Sequence, residues 1–131
     1  MMLGVVEPHA SGIGGGGFLL HYDAATKAIV AYDGRETAPA GATPAMFLDG
    51  SGKPLGYEQA VASGISVGAP GLLAMLEMAH KEQGKLAWGE LFAPAIAAAR
   101  DGFTVSPRLA TWLARMPTLR EEPAIRATYF N

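Results

Sequence analysis

Two parts of this sequence could do chemistry: a glycine-rich run at residues 12–17 and a turn at residues 33–39 that carries a lone Arg35. Glycine lets another backbone come close because it has no Cβ. Arginine can grip a carboxylate through two parallel hydrogen bonds. The local sequence leaves two interpretations of Arg35 open: an anion-binding residue in a stiff turn, or a surface arginine beside Glu36 that contributes little energy.

Two familiar catalytic patterns also occur, and the residues around them argue against both. Gly12, Gly14 and Gly17 match the G-x-G-x-x-G dinucleotide fingerprint, but a hairpin is predicted where that motif needs a helix N-terminus. Ser66 lies in a G-x-S-x-G pattern typical of a nucleophile elbow. That triad runs Ser, then Asp or Glu, then His, but the only histidine after Ser66 is His80, on the very next predicted helix, and none follows Asp101. We therefore expect neither nucleotide binding nor a serine nucleophile.

Composition excludes further classes of protein. The chain has 131 residues, no cysteine, a formal net charge of −2 and ten scattered Lys and Arg residues. Disulfides, thiolate metal sites and cysteine nucleophiles are excluded, and no nucleic-acid partner is expected. No apolar run approaches the roughly 18 residues that a membrane span needs. Metal and cofactor sites are not expected, because the histidines are isolated from other ligands: His9, His21 and His80.

The elements that must position Arg35 are a hairpin followed by helices. Residues 18–22 and 28–32 are predicted strands, with Asp23 and Asp33 as turn residues. Imperfect alternation predicts that at least one strand is covered on both faces. After the hairpin, the sequence predicts a short helix opened by Thr43 and Pro44 and a short strand at 65–67. Four further helices are predicted: at 70–83, at 88–100, from Ser106 to a stop at Pro117, and from residue 124 onward.

Prolines and apolar spacing add detail to these helices. Pro94 is expected to kink or restart the helix in which it lies, because its ring clashes one turn back. Met75, Met78 and Trp112 lie at helical spacing and are predicted to pack in the core. The order of elements, strands first and then helices, predicts an α+β fold.

Five separated motifs, in this order and at this spacing, resemble the large-subunit part of the γ-glutamyltranspeptidases, also called glutathione hydrolases. They run over nearly the whole chain: EPHASGIGGGGF at 7–18, DGRETAP at 33–39, SVGAPG at 66–71, LAWGELFAPAI at 86–96 and GFTVS at 102–106. The resemblance implies an N-terminal-nucleophile hydrolase with a four-layer αββα sandwich, of which this chain forms part.

The resemblance also implies a mechanism and a role for one residue. Family members cut themselves to expose a threonine at the start of the small subunit. That threonine attacks the γ-glutamyl carbonyl with its own α-amine as base, and water or an amine then takes the γ-glutamyl group from the acyl-enzyme. The family's arginine at the position of Arg35 binds the α-carboxylate of the donor. Arg35 is therefore the predicted substrate-binding residue.

The glycine run receives a different role from the same resemblance. The family builds its oxyanion hole from glycines of the small subunit, so Gly14 to Gly17 are predicted to be close-packed backbone near the site. Whether Gly15 or Gly16 lines the pocket stays open.

The processing threonine and its Thr-Thr-His context are missing from the sequence. Residues 1–131 are thus expected to be a partial large-subunit region, truncated at both ends and inactive alone, from an enzyme parent. The expected partners are a γ-glutamyl substrate such as glutathione and the small-subunit half. The alternatives are a related acylase (cephalosporin acylase or a poly-γ-glutamate processing enzyme) and a non-catalytic remnant. The sequence leaves the compartment open, although bacterial relatives are usually exported, which implies a periplasmic or secreted parent.

Overall fold

The computed structural model describes residues 1–116 and 120–130 of the chain. Its contacts divide the chain into two compact units. One, called the discontinuous unit, is formed by Met1–Gly12 and Leu86–Asn131, and the other, called the central unit, by Ile13–Lys85.

A short helix precedes the strands, and the longer helices follow them. In chain order the elements are α1 Leu3–Val6, β1 Phe18–Asp23, β2 Ala28–Asp33, α2 Tyr57–Ala62, α3 Leu72–Gln83, α4 Ala93–Asp101, α5 Pro107–Arg115 and α6 Pro123–Tyr129, with 3₁₀ helices at Gly64–Ser66 and Trp88–Phe92. This mixture of helix and strand agrees with the predicted α+β class. Within the described residues, no helix is long and apolar enough to cross a membrane.

Strands β1 and β2 form the predicted hairpin, an antiparallel pair with six residues in each strand. The Asp23 carboxylate organises its turn by accepting hydrogen bonds from the Ala25 N–H and the Thr26 hydroxyl, both at 2.8 Å. These bonds favour the ionised form, so the pKa of Asp23 is lowered, mainly by the Thr26 hydroxyl. Lys27 closes the turn at φ 59°, in the left-handed region. The prediction of Asp23 as a turn residue is confirmed.

One face of the hairpin packs against α3 and forms the core of the central unit. The buried side chains are Tyr32, Met75 and Ala79, with Leu19, Leu72 and Leu76 packed around them. The Tyr32 hydroxyl donates to a Glu82 carboxylate oxygen at 2.6 Å, so the polar end of this buried ring is satisfied. The prediction that Met75 packs in the core is confirmed. The same prediction for Met78 is wrong, because its side chain is 56% exposed and lies beside the face of α3 that contacts the hairpin.

The other face of the hairpin is apolar and exposed. Its side chains alternate with those that face α3, and they are 58 to 73% exposed: Phe18, Leu20, Tyr22 and Ile29. The expectation that a strand is covered on both faces is therefore wrong for this chain, since α3 lies on one face.

Two short elements of the central unit differ from the prediction. The helix expected from Thr43 and Pro44 is a series of turns, with the Met46 N–H bonded to the Thr43 carbonyl at 3.1 Å. So short a segment gains too few hydrogen bonds to offset helix nucleation. The strand expected at 65–67 is instead the 3₁₀ helix Gly64–Ser66. The Ser66 hydroxyl donates to a backbone carbonyl there, and such local bonds compete with strand pairing.

Proline and serine define the helices of the discontinuous unit. Pro94 lies in the first turn of α4 and follows a 3₁₀ helix, so the restart is confirmed. Ser106 caps α5 by accepting a hydrogen bond from the Leu109 N–H at 3.0 Å. Leu109 is fully buried and Leu113 nearly so, while Trp112 is half-buried. The predicted stop at Pro117 lies outside the described residues.

Candidate functional site

Backbone hydrogen bonds fix the position of Arg35 just beyond β2. Gly34 and Gly17 exchange two bonds, at 2.9 and 3.2 Å, which extend the hairpin ladder by one pair. The Asp33 carboxylate then accepts a hydrogen bond from the Arg35 N–H at 2.9 Å, which confirms Asp33 as a turn residue. The chain therefore turns sharply at a defined place and carries the Arg35 side chain there.

Glycines surround this turn at distances that no larger residue could match. A Cβ placed on Gly16 would lie 2.8 Å from the Arg35 Cα, and one on Gly71 would lie 2.6 Å from the Gly34 carbonyl oxygen. Gly34 itself is pressed against α3, because its Cβ would lie 2.6 Å from that of Met75. These contacts explain why the sequence needs glycine in three separate segments.

The glycine run is only partly close-packed. The prediction is confirmed for Gly16, and Gly17 is in ordinary contact, since its Cβ would lie 3.4 Å from Leu72. It is wrong for Gly14, where a Cβ would meet no atom within 4 Å. Gly15 contributes its carbonyl, which accepts a hydrogen bond from the Leu72 N–H at 3.1 Å and so ties the run to the start of α3.

The Arg35 guanidinium pairs with its neighbour and still reaches solvent. Its Nη1 lies 2.9 Å from Oε2 of Glu36, and the two side chains are 58% and 28% exposed, respectively. At such exposure the pair adds little to stability. The contact is an ion pair without hydrogen-bond geometry, because Oε2 of Glu36 has no hydrogen-bond partner among the described residues. The guanidinium, which has five N–H donors, therefore retains donors for an external carboxylate.

Arg35 lies at the edge of a cleft of about 390 Å³ within the central unit. One part of the cleft is polar, with Arg35, Glu36, Thr37 and Ser66, and the rest is mainly apolar, with Met46, Phe47, Ile65 and Val67 among the lining residues. Gly15 and Gly16 are not among the residues that line this cleft. An arginine beside a partly apolar cleft suits a small carboxylate ligand with an aliphatic body.

The rejected catalytic patterns have no support in the structure. β1 follows the glycine run directly, so the run does not open a helix as the dinucleotide fingerprint requires. The Ser66 hydroxyl donates to the Ser63 carbonyl at 3.0 Å, and no histidine lines the cleft beside it. Across the described part of the chain, no group of three or more His, Cys, Asp or Glu residues could hold a metal ion.

A polar cluster in the discontinuous unit was not predicted from sequence. Oε1 of Glu7 accepts a hydrogen bond from the Ser106 hydroxyl at 2.6 Å, and its Oε2 lies 3.4 Å from Nε2 of His9. The His9 ring stacks on Trp112 with centroids 4.8 Å apart. Glu7 and Ser106 belong to the first and the last of the five motifs. The occurrence of both motifs in one chain was the only sequence signal that could have indicated this cluster. The cluster holds the first motif against the start of α5.

Comparisons with known proteins agree with this geometry. The γ-glutamyltranspeptidase family model matches residues 1–131. The glutathione hydrolase proenzyme of Bacillus subtilis (strain 168) is 47% identical over 108 residues, which cover 82% of this chain and 18% of that protein. Helicobacter pylori γ-glutamyltranspeptidase has a TM-score of 0.89 at 34% identity, over 99% of this chain and 37% of that one. The Bacillus anthracis transpeptidase CapD has a TM-score of 0.65 at 34% identity, over 89% and 33% of the two chains.

The chain thus spans less than a fifth of the Bacillus subtilis protein and little more than a third of the Helicobacter pylori chain. The match nonetheless includes both the glycine run and the Arg35 turn, because the family model extends over every residue. Sequence and backbone geometry agree, and the chain belongs to the γ-glutamyltranspeptidase family.

Proposed function

We propose that this chain supplies the donor-binding arginine of a γ-glutamyltransferase or glutathione hydrolase. In this proposal Arg35 holds the α-carboxylate of a γ-glutamyl amide such as glutathione. The observation that carries it is the rigid Arg35 turn, fixed by the Asp33 carboxylate and by close glycine contacts at the edge of a cleft. A side chain placed by fixed backbone needs little reorganisation to bind, which favours affinity.

The reaction needs groups that this chain does not carry. A threonine at the start of a separate small subunit attacks the γ-carbonyl of the donor, while its own α-amine takes the hydroxyl proton. The C–N bond breaks, the amine leaves with a proton, and an ester to threonine remains. Water or an acceptor amine then cleaves the ester and restores the threonine. Arg35 contributes by binding the carboxylate end, which sets where the carbonyl lies.

The exposed hairpin face supports the proposal that this chain is part of a larger sandwich. A helix covers one face of the hairpin, while Phe18, Leu20 and Ile29 on the other are 68 to 73% exposed. A sheet that is apolar on both faces requires a second layer. We assign that layer to another sheet of an αββα sandwich, formed with the remainder of the precursor, including its small subunit.

The test uses a chimera in which this chain replaces the matching segment of the Bacillus subtilis relative. Arg35→Lys is expected to raise KM for a γ-glutamyl anilide about tenfold with a smaller effect on kcat, because lysine cannot form the two-pronged contact. Loss of a charged hydrogen bond is worth about 1.5–3 kcal/mol, and the exposure of Arg35 places the effect at the lower end.

Arg100→Lys is the matched control, because Arg100 also makes two short contacts to a carboxylate, that of Asp101, but on the surface of the other unit. It is expected to leave KM unchanged. An Arg35→Lys chimera with normal KM would return Arg35 to the status of a surface residue. The isolated chain should release no anilide.

A second assay separates the proposal from its alternatives. A glutaryl amide keeps the carboxylate that Arg35 would bind but lacks the α-amine, so a preference for it would favour a glutaryl-type acylase. A chimera that folds but turns over neither amide would favour a non-catalytic remnant.

A further inference from the structure

We infer that Gly68 is a positioning residue for Arg35, acting through Glu36. This inference rests on the proposed function, because it concerns how the same arginine is aimed. Gly16 and Gly68 form the two walls of a slot that holds the Glu36 side chain, and this slot is called the glycine slot.

The walls of the glycine slot are defined by short distances. A Cβ on Gly68 would lie 2.8 Å from the Glu36 Cβ and 3.2 Å from the Thr37 carbonyl oxygen. A Cβ on Gly16 would lie 2.5 Å from Oε2 of Glu36. Real Cβ atoms do not approach other heavy atoms to the 2.5 and 2.8 Å that these two positions would require, since interiors pack to van der Waals contact. The slot therefore fits the Glu36 side chain only while both walls are glycine.

The Gly68 wall cannot easily move away. Its neighbour Ala69 exchanges two backbone hydrogen bonds with Thr37, at 2.9 and 3.2 Å, so the two segments are joined next to the contact. A methyl group on Gly68 must consequently displace Glu36 or break these bonds. Because a Cβ is fixed by its own backbone, relieving the contact with the Glu36 Cβ shifts the Glu36 backbone, which adjoins Arg35.

Displacing Glu36 changes the direction of Arg35. Oε2 of Glu36 is buried, although the carboxylate belongs to a partly exposed side chain, and it lies 2.9 Å from Nη1 of Arg35. A long arginine side chain has several rotamers of similar energy. The ion pair with the buried carboxylate favours one of them and leaves the donors of the fork free for a ligand carboxylate. Gly68, which also lines the cleft, thus sets the guanidinium direction through Glu36.

The experiment measures KM and kcat in the Bacillus subtilis chimera with a γ-glutamyl anilide. Gly68→Ala is expected to raise KM at least fivefold with kcat changed less than twofold. Gly64→Ala is the matched control from the same segment, because a Cβ there would meet no atom within 4 Å. It should leave both constants unchanged.

A double variant distinguishes positioning from a general loss of structure. If Gly68 acts through Arg35, adding Gly68→Ala to Arg35→Lys should raise KM less than twofold further, because the arginine fork is already gone. Multiplicative effects would overturn the inference, since they would mean that Gly68 acts independently of Arg35.

Glu36→Asp keeps the inference testable if Gly68→Ala fails to fold. It withdraws the carboxylate by one methylene without adding bulk, and it too should raise KM at least fivefold. Normal KM in Glu36→Asp, or in a folded Gly68→Ala, overturns the positioning role. If Arg35→Lys itself leaves KM unchanged, the proposed function fails instead, so the two failures are distinguishable.

Discussion

Replacing Ser106 by alanine is expected to destabilise the discontinuous unit by about 2–4 kcal/mol. The hydroxyl of Ser106 has two partners. It accepts a hydrogen bond from the Leu109 N–H at 3.0 Å and donates one to the Glu7 carboxylate at 2.6 Å. Alanine removes both bonds at once, one of them to a charged group.

The magnitude follows from these two bonds and from the surroundings of Glu7. Loss of an N-cap costs about 1 kcal/mol, and loss of a hydrogen bond to a charged group about 1.5–3 kcal/mol. The Glu7 side chain is only 16% exposed, so water replaces the lost donor poorly. Oε2 of Glu7 still lies 3.4 Å from His9 and 3.7 Å from Arg108. These contacts to the same carboxylate limit the loss of stability.

Urea unfolding followed by tryptophan fluorescence measures this effect, because both tryptophans of the chain, Trp88 and Trp112, lie in the discontinuous unit. The control is Thr111→Ala on the same helix, whose exposed hydroxyl donates to the Pro107 carbonyl at 2.7 Å. It should change stability by less than about 0.5 kcal/mol. A Ser106→Ala protein as stable as the control would refute the assigned role of the Glu7 contact.

Two further predictions concern the central unit. The Glu82 carboxylate raises the pKa of Tyr32, so stability from this pair is complete below about pH 10 and is lost as pH rises through the folded pKa. The urea midpoint of Tyr32→Phe should therefore approach that of the wild-type protein at alkaline pH. The midpoint of the exposed control Tyr57→Phe should equal the wild-type value at every pH. Leu20→Lys should reduce light scattering by the isolated chain, because Leu20 lies 73% exposed on the apolar hairpin face. Equal scattering by both proteins would contradict self-association through that face.

Elements with strong local signals were predictable from the sequence. The hairpin is encoded by two β-rich segments around a turn whose Asp23 forms its bonds within three residues. The start of α5 is encoded by Ser106 and the following proline. In each case the deciding interactions connect residues close in sequence.

The weaker segments were not predictable, because distant partners decide their conformation. The segment at 65–67 has strand-like residues, yet its serine hydroxyl bonds locally, and pairing occurs only at Ala69, opposite Thr37. The helix α2 was not predicted at all. Met78 has the spacing of a core residue, but the width of the stripe that faces the hairpin leaves it exposed.

The candidate site shows the same division. The sequence by itself determined the family and singled out Arg35, because residue types and motif spacing are properties of the chain. Only the tertiary structure decided which glycines matter: Gly16 and Gly68 are packed against the Arg35 turn, while a Cβ on Gly14 would meet no atom within 4 Å. The physical reason is that close approach depends on which segments meet in space, and residues 16, 36 and 68 meet only after the hairpin, the turn and α3 have packed together.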